Sequence, residues 1–159
     1  MGLRRTNSRR IAASGGAIDN QGTAAPIFAS CRFYDNESGG AGGAIANFGS
    51  GNPLIVNSVF QGNKSGGAGG AIYSEALATV INGSFTLNQS GGLGGAIFEQ
   101  SADSILVANS ILWGNIAAAD VSVEERQIIG SSVTDSIVHG LDKLTGNNNI
   151  AMDPLFLDP

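Results

Sequence analysis

The sequence predicts an all-β chain wound as a right-handed parallel β-helix of roughly five coils. Three observations carry this expectation. The tetrapeptide Gly-Gly-Ala-Ile begins at Gly15, Gly42, Gly69 and Gly94, at intervals of 27, 27 and 25 residues. A second motif, Phe-x-x-Asn, keeps step with it as Phe33/Asn36, Phe60/Asn63 and Phe85/Asn88, with Leu112/Asn115 as a fourth copy. Between the two motifs, apolar and polar residues alternate with period two. A repeat of this length suits a solenoid. The glycine clusters would break helices at every turn, so a helical solenoid is excluded. What remains is a β-coil with two or three short strands per turn.

The strand ahead of each Phe comes first. Ile27, Ala29, Cys31 and Phe33 alternate with Phe28, Ser30 and Arg32, and Leu54, Val56, Ser58 and Phe60 with Ile55, Asn57 and Val59. Ile81, Gly83 and Phe85 alternate with Val80, Asn82 and Ser84, and Leu106, Ala108, Ser110 and Leu112 with Val107, Asn109 and Ile111. The first set in each case is apolar or small and is assigned inward, the second outward. Coils paired in parallel lie about 4.7–4.9 Å apart, so equivalent residues stack. Phe33, Phe60, Phe85 and Leu112 then form one interior column, each contributing roughly 1.5–3 kcal/mol. Ile18, Ile45, Ile72 and Ile97 form a second, from the strand that each tetrapeptide opens.

Asn36, Asn63, Asn88 and Asn115 fall where the chain leaves the Phe strand. Asparagine tolerates left-handed backbone and bonds nearby backbone groups, and amides stacked at one coil spacing can bond to each other as a ladder. The paired glycines supply positive φ or close backbone approach. After Asn115 the tetrapeptide stops, and 116–129 is less regular, with an acidic Glu124-Glu125 step. A further strand is expected at Ser132–Val138, then a loop and the ending DPLFLDP.

These motifs resemble the polymorphic outer membrane protein repeats of exported bacterial β-helix proteins. The segments NSILWGN (Asn109–Asn115), SIVHG (Ser136–Gly140) and NNNIAMDPLFLDP (Asn147–Pro159) resemble the end region of bacterial right-handed β-helix surface proteins. The resemblance spans nearly all of residues 14–159. It implies a pectin-lyase-like solenoid, placement in the extracellular space or the cell outer membrane, and a role in adhesion within a longer exported protein. The chain is accordingly read as a basic arm, 1–13, and a single β-helix domain, 14–159, regular over 14–115 and irregular over 116–159.

Charge and composition narrow the function classes. Formal net charge is −5, but Arg4, Arg5, Arg9 and Arg10 supply half of the 8 basic residues, leaving 4 basic against 13 acidic side chains from Ile11 onward, near −9. Such a body lacks the clustered Lys and Arg that phosphate contacts need, so no nucleic-acid partner is expected. No apolar run approaches the length of a membrane-spanning helix, and the start of the chain has no apolar signal-peptide core. Cys31 is the single cysteine and His139 the single histidine. Neither a zinc site nor a thiol–imidazole pair is expected from them, and no catalytic residue, cofactor or metal is assigned. Arg32 with Asp35 and Glu37 is the nearest approach to a lyase-like trio, and no other coil adds matching charges.

The functional reading is therefore a non-catalytic scaffold or adhesion segment. A carbohydrate-active β-helix fragment (lyase or hydrolase) is the alternative, and a plain structural spacer the third reading. Aromatic residues give the candidate contacts. Tyr73 and Phe98 follow the Ile of successive tetrapeptides, Phe48 lies nearby, and Trp113 follows Leu112. Such rings can stack on sugars or meet a partner protein, so a carbohydrate or a host or cell-surface protein is the expected partner. Open β-helix ends, with unpaired backbone edges, also favour self-association.

Overall fold

The computed structural model describes residues 12–101, 105–142 and 147–155. The basic arm lies outside them as far as residue 11, as do the last four residues. The chain winds as a parallel β-solenoid of four complete turns and a partial fifth. The first turn holds β1 (Ile18–Gly22), β2 (Ile27–Ala29), β3 (Arg32–Tyr34) and β4 (Glu37–Ser38). The second holds β5 (Ile45–Gly49), β6 (Leu54–Val56), β7 (Val59–Gln61) and β8 (Lys64–Ser65). The third holds β9 (Ile72–Ser74), β10 (Ala78–Ile81), β11 (Ser84–Thr86) and β12 (Gln89–Ser90). The fourth holds β13 (Ile97–Glu99), β14 (Ile105–Ala108), β15 (Ile111–Trp113) and β16 (Ile116–Ala117). A short helix α1 (Val123–Gln127) then leads into β17 (Ile128–Ile129), β18 (Ser131–Thr134) and β19 (Ile137–Val138). Each turn thus carries four short strands, where the sequence suggested two or three.

Equivalent strands stack into four parallel sheets, in the orders β1-β5-β9-β13-β17, β2-β6-β10-β14-β18, β3-β7-β11-β15-β19 and β4-β8-β12-β16. The register joins like residues. Ile18, Ile45, Ile72, Ile97 and Ile128 form one column. Phe33, Phe60, Phe85, Leu112 and Val138 form another. Within it, Phe33 and Phe60 stack at 4.6 Å and 9°, and Phe60 and Phe85 at 4.7 Å and 4°.

A third interior column corrects the inward assignment made from alternation. Phe28, Ile55, Val80, Val107 and Val133 are in register and line the core. Ile27 is 68% exposed and Leu106 48% exposed, on the outside. The alternation is not continuous across the stretch. Ser30, Asn57, Asn82, Asn109 and Asp135 have φ of 49–56°. One left-handed residue turns the chain and shifts the inside–outside phase by one. Ser58, Gly83 and Ser110, immediately after it, are therefore buried as expected, as is Ser136 in the fifth turn, while the residues ahead of the corner are reversed. Ser58 and Ser110 accept from the backbone N–H of Cys31 and Gly83 one turn back, at 3.1 and 3.0 Å.

The FxxN asparagines form the ladder expected of them. Asn36 Nδ2 donates to Asn63 Oδ1 (2.8 Å), Asn63 to Asn88 (2.9 Å) and Asn88 to Asn115 (2.8 Å). Each acceptor oxygen also takes the backbone N–H of the asparagine before it. From the second rung, Nδ2 also donates to the carbonyl of the preceding turn's aromatic: Phe33, Phe60 and Phe85. The left-handed residue is the one before each asparagine: Asp35, Gly62, Leu87 and Gly114. The left-handed geometry expected of the asparagines falls one position earlier.

The tetrapeptide glycines divide their roles. The first of each pair, Gly15, Gly42, Gly69 and Gly94, has φ of 57–71°. The second packs backbone on backbone: a Cβ on Gly43 or Gly70 would overlap the carbonyl oxygen of Gly70 or Gly95 one turn on. In the fifth turn α1 takes the place of the glycine loop. Ser122 Oγ accepts from Glu125 N–H (3.2 Å) and Glu125 Oε2 accepts from Ser122 N–H (3.0 Å), a capping box. The helix delivers Gln127, fully buried, whose Oε1 accepts from Asn115 Nδ2 at 2.8 Å and ends the ladder.

Candidate functional site

With the recurring residues committed to the interior, the outward positions carry whatever recognition the chain has. The structure brings three of the four candidate aromatics together. Phe48, Tyr73 and Phe98 lie on the outer face of β5, β9 and β13. Phe48 and Tyr73 centroids are 5.3 Å apart at 47°, and Tyr73 and Phe98 are 5.9 Å apart at 13°. They pack chiefly on one another. Tyr73 is only 8% exposed, which corrects its reading as an exposed ring. Its hydroxyl donates toward Gln100 Oε1 (3.3 Å) and Glu75 Oε1 (3.4 Å). Burial, then the Glu75 charge and its hydrogen bond, raise the Tyr73 pKa above the ordinary 10.0.

Trp113 stands apart from that cluster, on the sheet of β3, β7, β11 and β15. It stacks on His139 at 4.3 Å and 21°. Register places it in an outer column with Tyr34, Gln61 and Thr86. Tyr34 is 47% exposed. Beside it, Tyr34, Asp35 and Gln61 line an open cleft of about 230 Å³. Sequence reasoning missed Tyr34. The signal was present: it is the residue after the Phe of its repeat, as Trp113 is the residue after Leu112.

The residues weighed for chemistry do not converge. Arg32 opens β3, Asp35 forms the corner at its far end and Glu37 opens β4, and the three form no ion pair with one another. His139 packs on Trp113 rather than against a carboxylate. Among the described residues no group of three His, Cys, Asp or Glu could hold a metal. Cys31 is half-buried and packs against the core, its Sγ 3.5 Å from the Ala29 carbonyl.

A stack of four-stranded turns with internal side-chain ladders defines the class: a parallel β-solenoid repeat protein. Within it, residues 57–75 match the family model of the Chlamydia polymorphic membrane protein repeat. That segment holds Phe60–Asn63, the glycine loop and the Gly69–Ile72 tetrapeptide, the motifs that carried the resemblance. Neither a curated protein nor a solved structure matches the chain.

Proposed function

We propose that this chain is a surface-displayed segment of a bacterial outer-membrane or secreted protein, serving as a non-catalytic scaffold in adhesion. One observation carries the reading. The residues that recur in every repeat are spent on building the rod: Phe and Ile on the core, Asn on a buried ladder, and Gly on close backbone contact. What varies from turn to turn is the outer surface, where Tyr34, Trp113 and the Phe48–Tyr73–Phe98 cluster lie. A rod with a variable exterior suits display of contacts for a carbohydrate or a cell-surface protein. Rung-to-rung association of copies is compatible with the same geometry.

The test is an epitope inserted after Thr23, in the exposed loop between β1 and β2, of the protein expressed in its own host. Antibody labelling of intact cells, lost after brief external proteolysis, is the expected result. Labelling only after the cells are opened would overturn the placement.

A further inference from the structure

We infer that the outer column Tyr34–Gln61–Thr86–Trp113 is a binding strip for a neutral, unbranched glycan. The inference names a ligand class for the adhesion role proposed above, but it rests on the geometry of the strip alone.

Four features converge. First, the strip is straight. Parallel register places Tyr34, Gln61, Thr86 and Trp113 on successive turns, so it runs about 14 Å at one strand spacing per residue. Second, it is chemically mixed in the way sugar rings require. Aromatic rings stand at both ends, Tyr34 largely open and Trp113 partly buried with one face against His139, with an amide and a hydroxyl between them to meet hydroxyl groups. Third, the cleft at Tyr34, Asp35 and Gln61, about 230 Å³, is below the ~300–1,000 Å³ of sites that engulf a small ligand. It suits one ring of a longer chain lying along the surface. Fourth, the strip is edged by a strained residue. Leu87 has φ of +57° and is 58% exposed. Of the corresponding positions, Gly62, Gly114 and Gly140 also have positive φ with no side chain to strain, and Asp35 is of a residue type that tolerates it. Leu87 Cδ2 is the atom nearest to where a side chain on Gly114 would begin, about 4.0 Å away, and Gly114 is the residue after Trp113. Strain kept at an exposed position points to use.

Charge selects the neutral class. Asp35 and Glu37 flank the Tyr34 end, with Arg32 on the same strand as Tyr34 and Lys64 in register with Glu37 one turn on, on a body that is near −9 from residue 11 onward and so disfavours an anionic chain. Width argues against a protein partner. A stable protein interface covers roughly 800 Å² on each side, and this strip is one side chain wide.

The experiment uses Trp113 as its own reporter, since it is the single tryptophan. The chain is titrated with linear hexamers of β-1,4-glucose, β-1,4-N-acetylglucosamine, β-1,4-mannose and α-1,4-glucose, and with oligogalacturonate. Saturable change in Trp113 emission with at least one neutral hexamer, and none with oligogalacturonate, is expected. Calorimetry should show binding weakened about tenfold or more in Tyr34→Ala and unchanged in Leu106→Ser, on the neighbouring sheet. Leu87→Gly should bind more weakly while melting at a higher temperature, which separates lost contact from lost fold. No saturable signal up to roughly 10 mM, preference for oligogalacturonate, or equal loss in Leu106→Ser would overturn the strip. Failure here leaves surface display standing, and failure of surface labelling leaves the glycan measurement intact.

Discussion

Asn88 shows how much one recurring side chain holds. Its Nδ2 donates to Asn115 Oδ1 and to the Phe60 carbonyl, and its Oδ1 accepts from both nitrogens of Asn63. Truncation leaves several buried polar groups without partners, each worth about 1–3 kcal/mol. Asn88→Ala should therefore cost about 3–5 kcal/mol on denaturant unfolding. Leu87, its neighbour, works the other way. A non-glycine residue in the left-handed region is strained by about 1–2 kcal/mol, partly offset in a glycine variant by unfolded-chain entropy. Leu87→Gly should stabilise by about 0.5–1 kcal/mol and raise the melting temperature by a few degrees. Tyr73 gives a pH signature. With its folded pKa above 10.0, the neutral phenol's contribution is complete below about pH 10 and lost as pH rises through the folded value. Thermal melts above about pH 10 should fall more steeply for the native chain than for Tyr73→Phe.

At the scale of the element, the corner decides what the strand cannot. The residues of β6 and β7 read as one alternating run, yet Asn57 at φ 49° splits them and points Ile55 and Phe60 into the same core. Asparagine, aspartate and serine at these corners were visible in the sequence as turn-tolerant residues. Their effect on phase was not, because period two holds only while the backbone stays extended. The glycine loop sets a sharper contrast. A Cβ on Gly70 would overlap the Gly95 carbonyl oxygen, whereas one on Gly92 would meet Gly67 at ordinary contact, 3.4 Å. Gly70→Ala should lose about 3 kcal/mol or more and Gly92→Ala less than about 1 kcal/mol, measured side by side in urea.

Across the whole molecule, stability runs along the solenoid axis through neighbouring turns. Phe60 is fully buried and stacked on both sides, so it couples the first turn to the third. Phe60→Ala should cost about 3–5 kcal/mol, while a Leu106→Ser change on the outer surface should stay within about 0.5 kcal/mol. Where the glycine repeat ends, α1 replaces the loop and Gln127 takes the place of a fifth asparagine, so the ladder closes on a satisfied amide.

The sequence by itself determined the winding: motifs repeating every 25–27 residues force like onto like, because parallel strands pair at one fixed spacing. The Phe and Ile columns, the asparagine ladder and the paired glycines were all legible on that ground. Only the tertiary structure decided which side chains of the Ile27–Phe33 stretch and its equivalents face inward. It also decided that Tyr73 is covered while Tyr34 is open, and that Trp113 and His139 stack on another face. Those outcomes depend on backbone angles at the corners and on which neighbours a turn brings alongside, and neither quantity repeats with the motif.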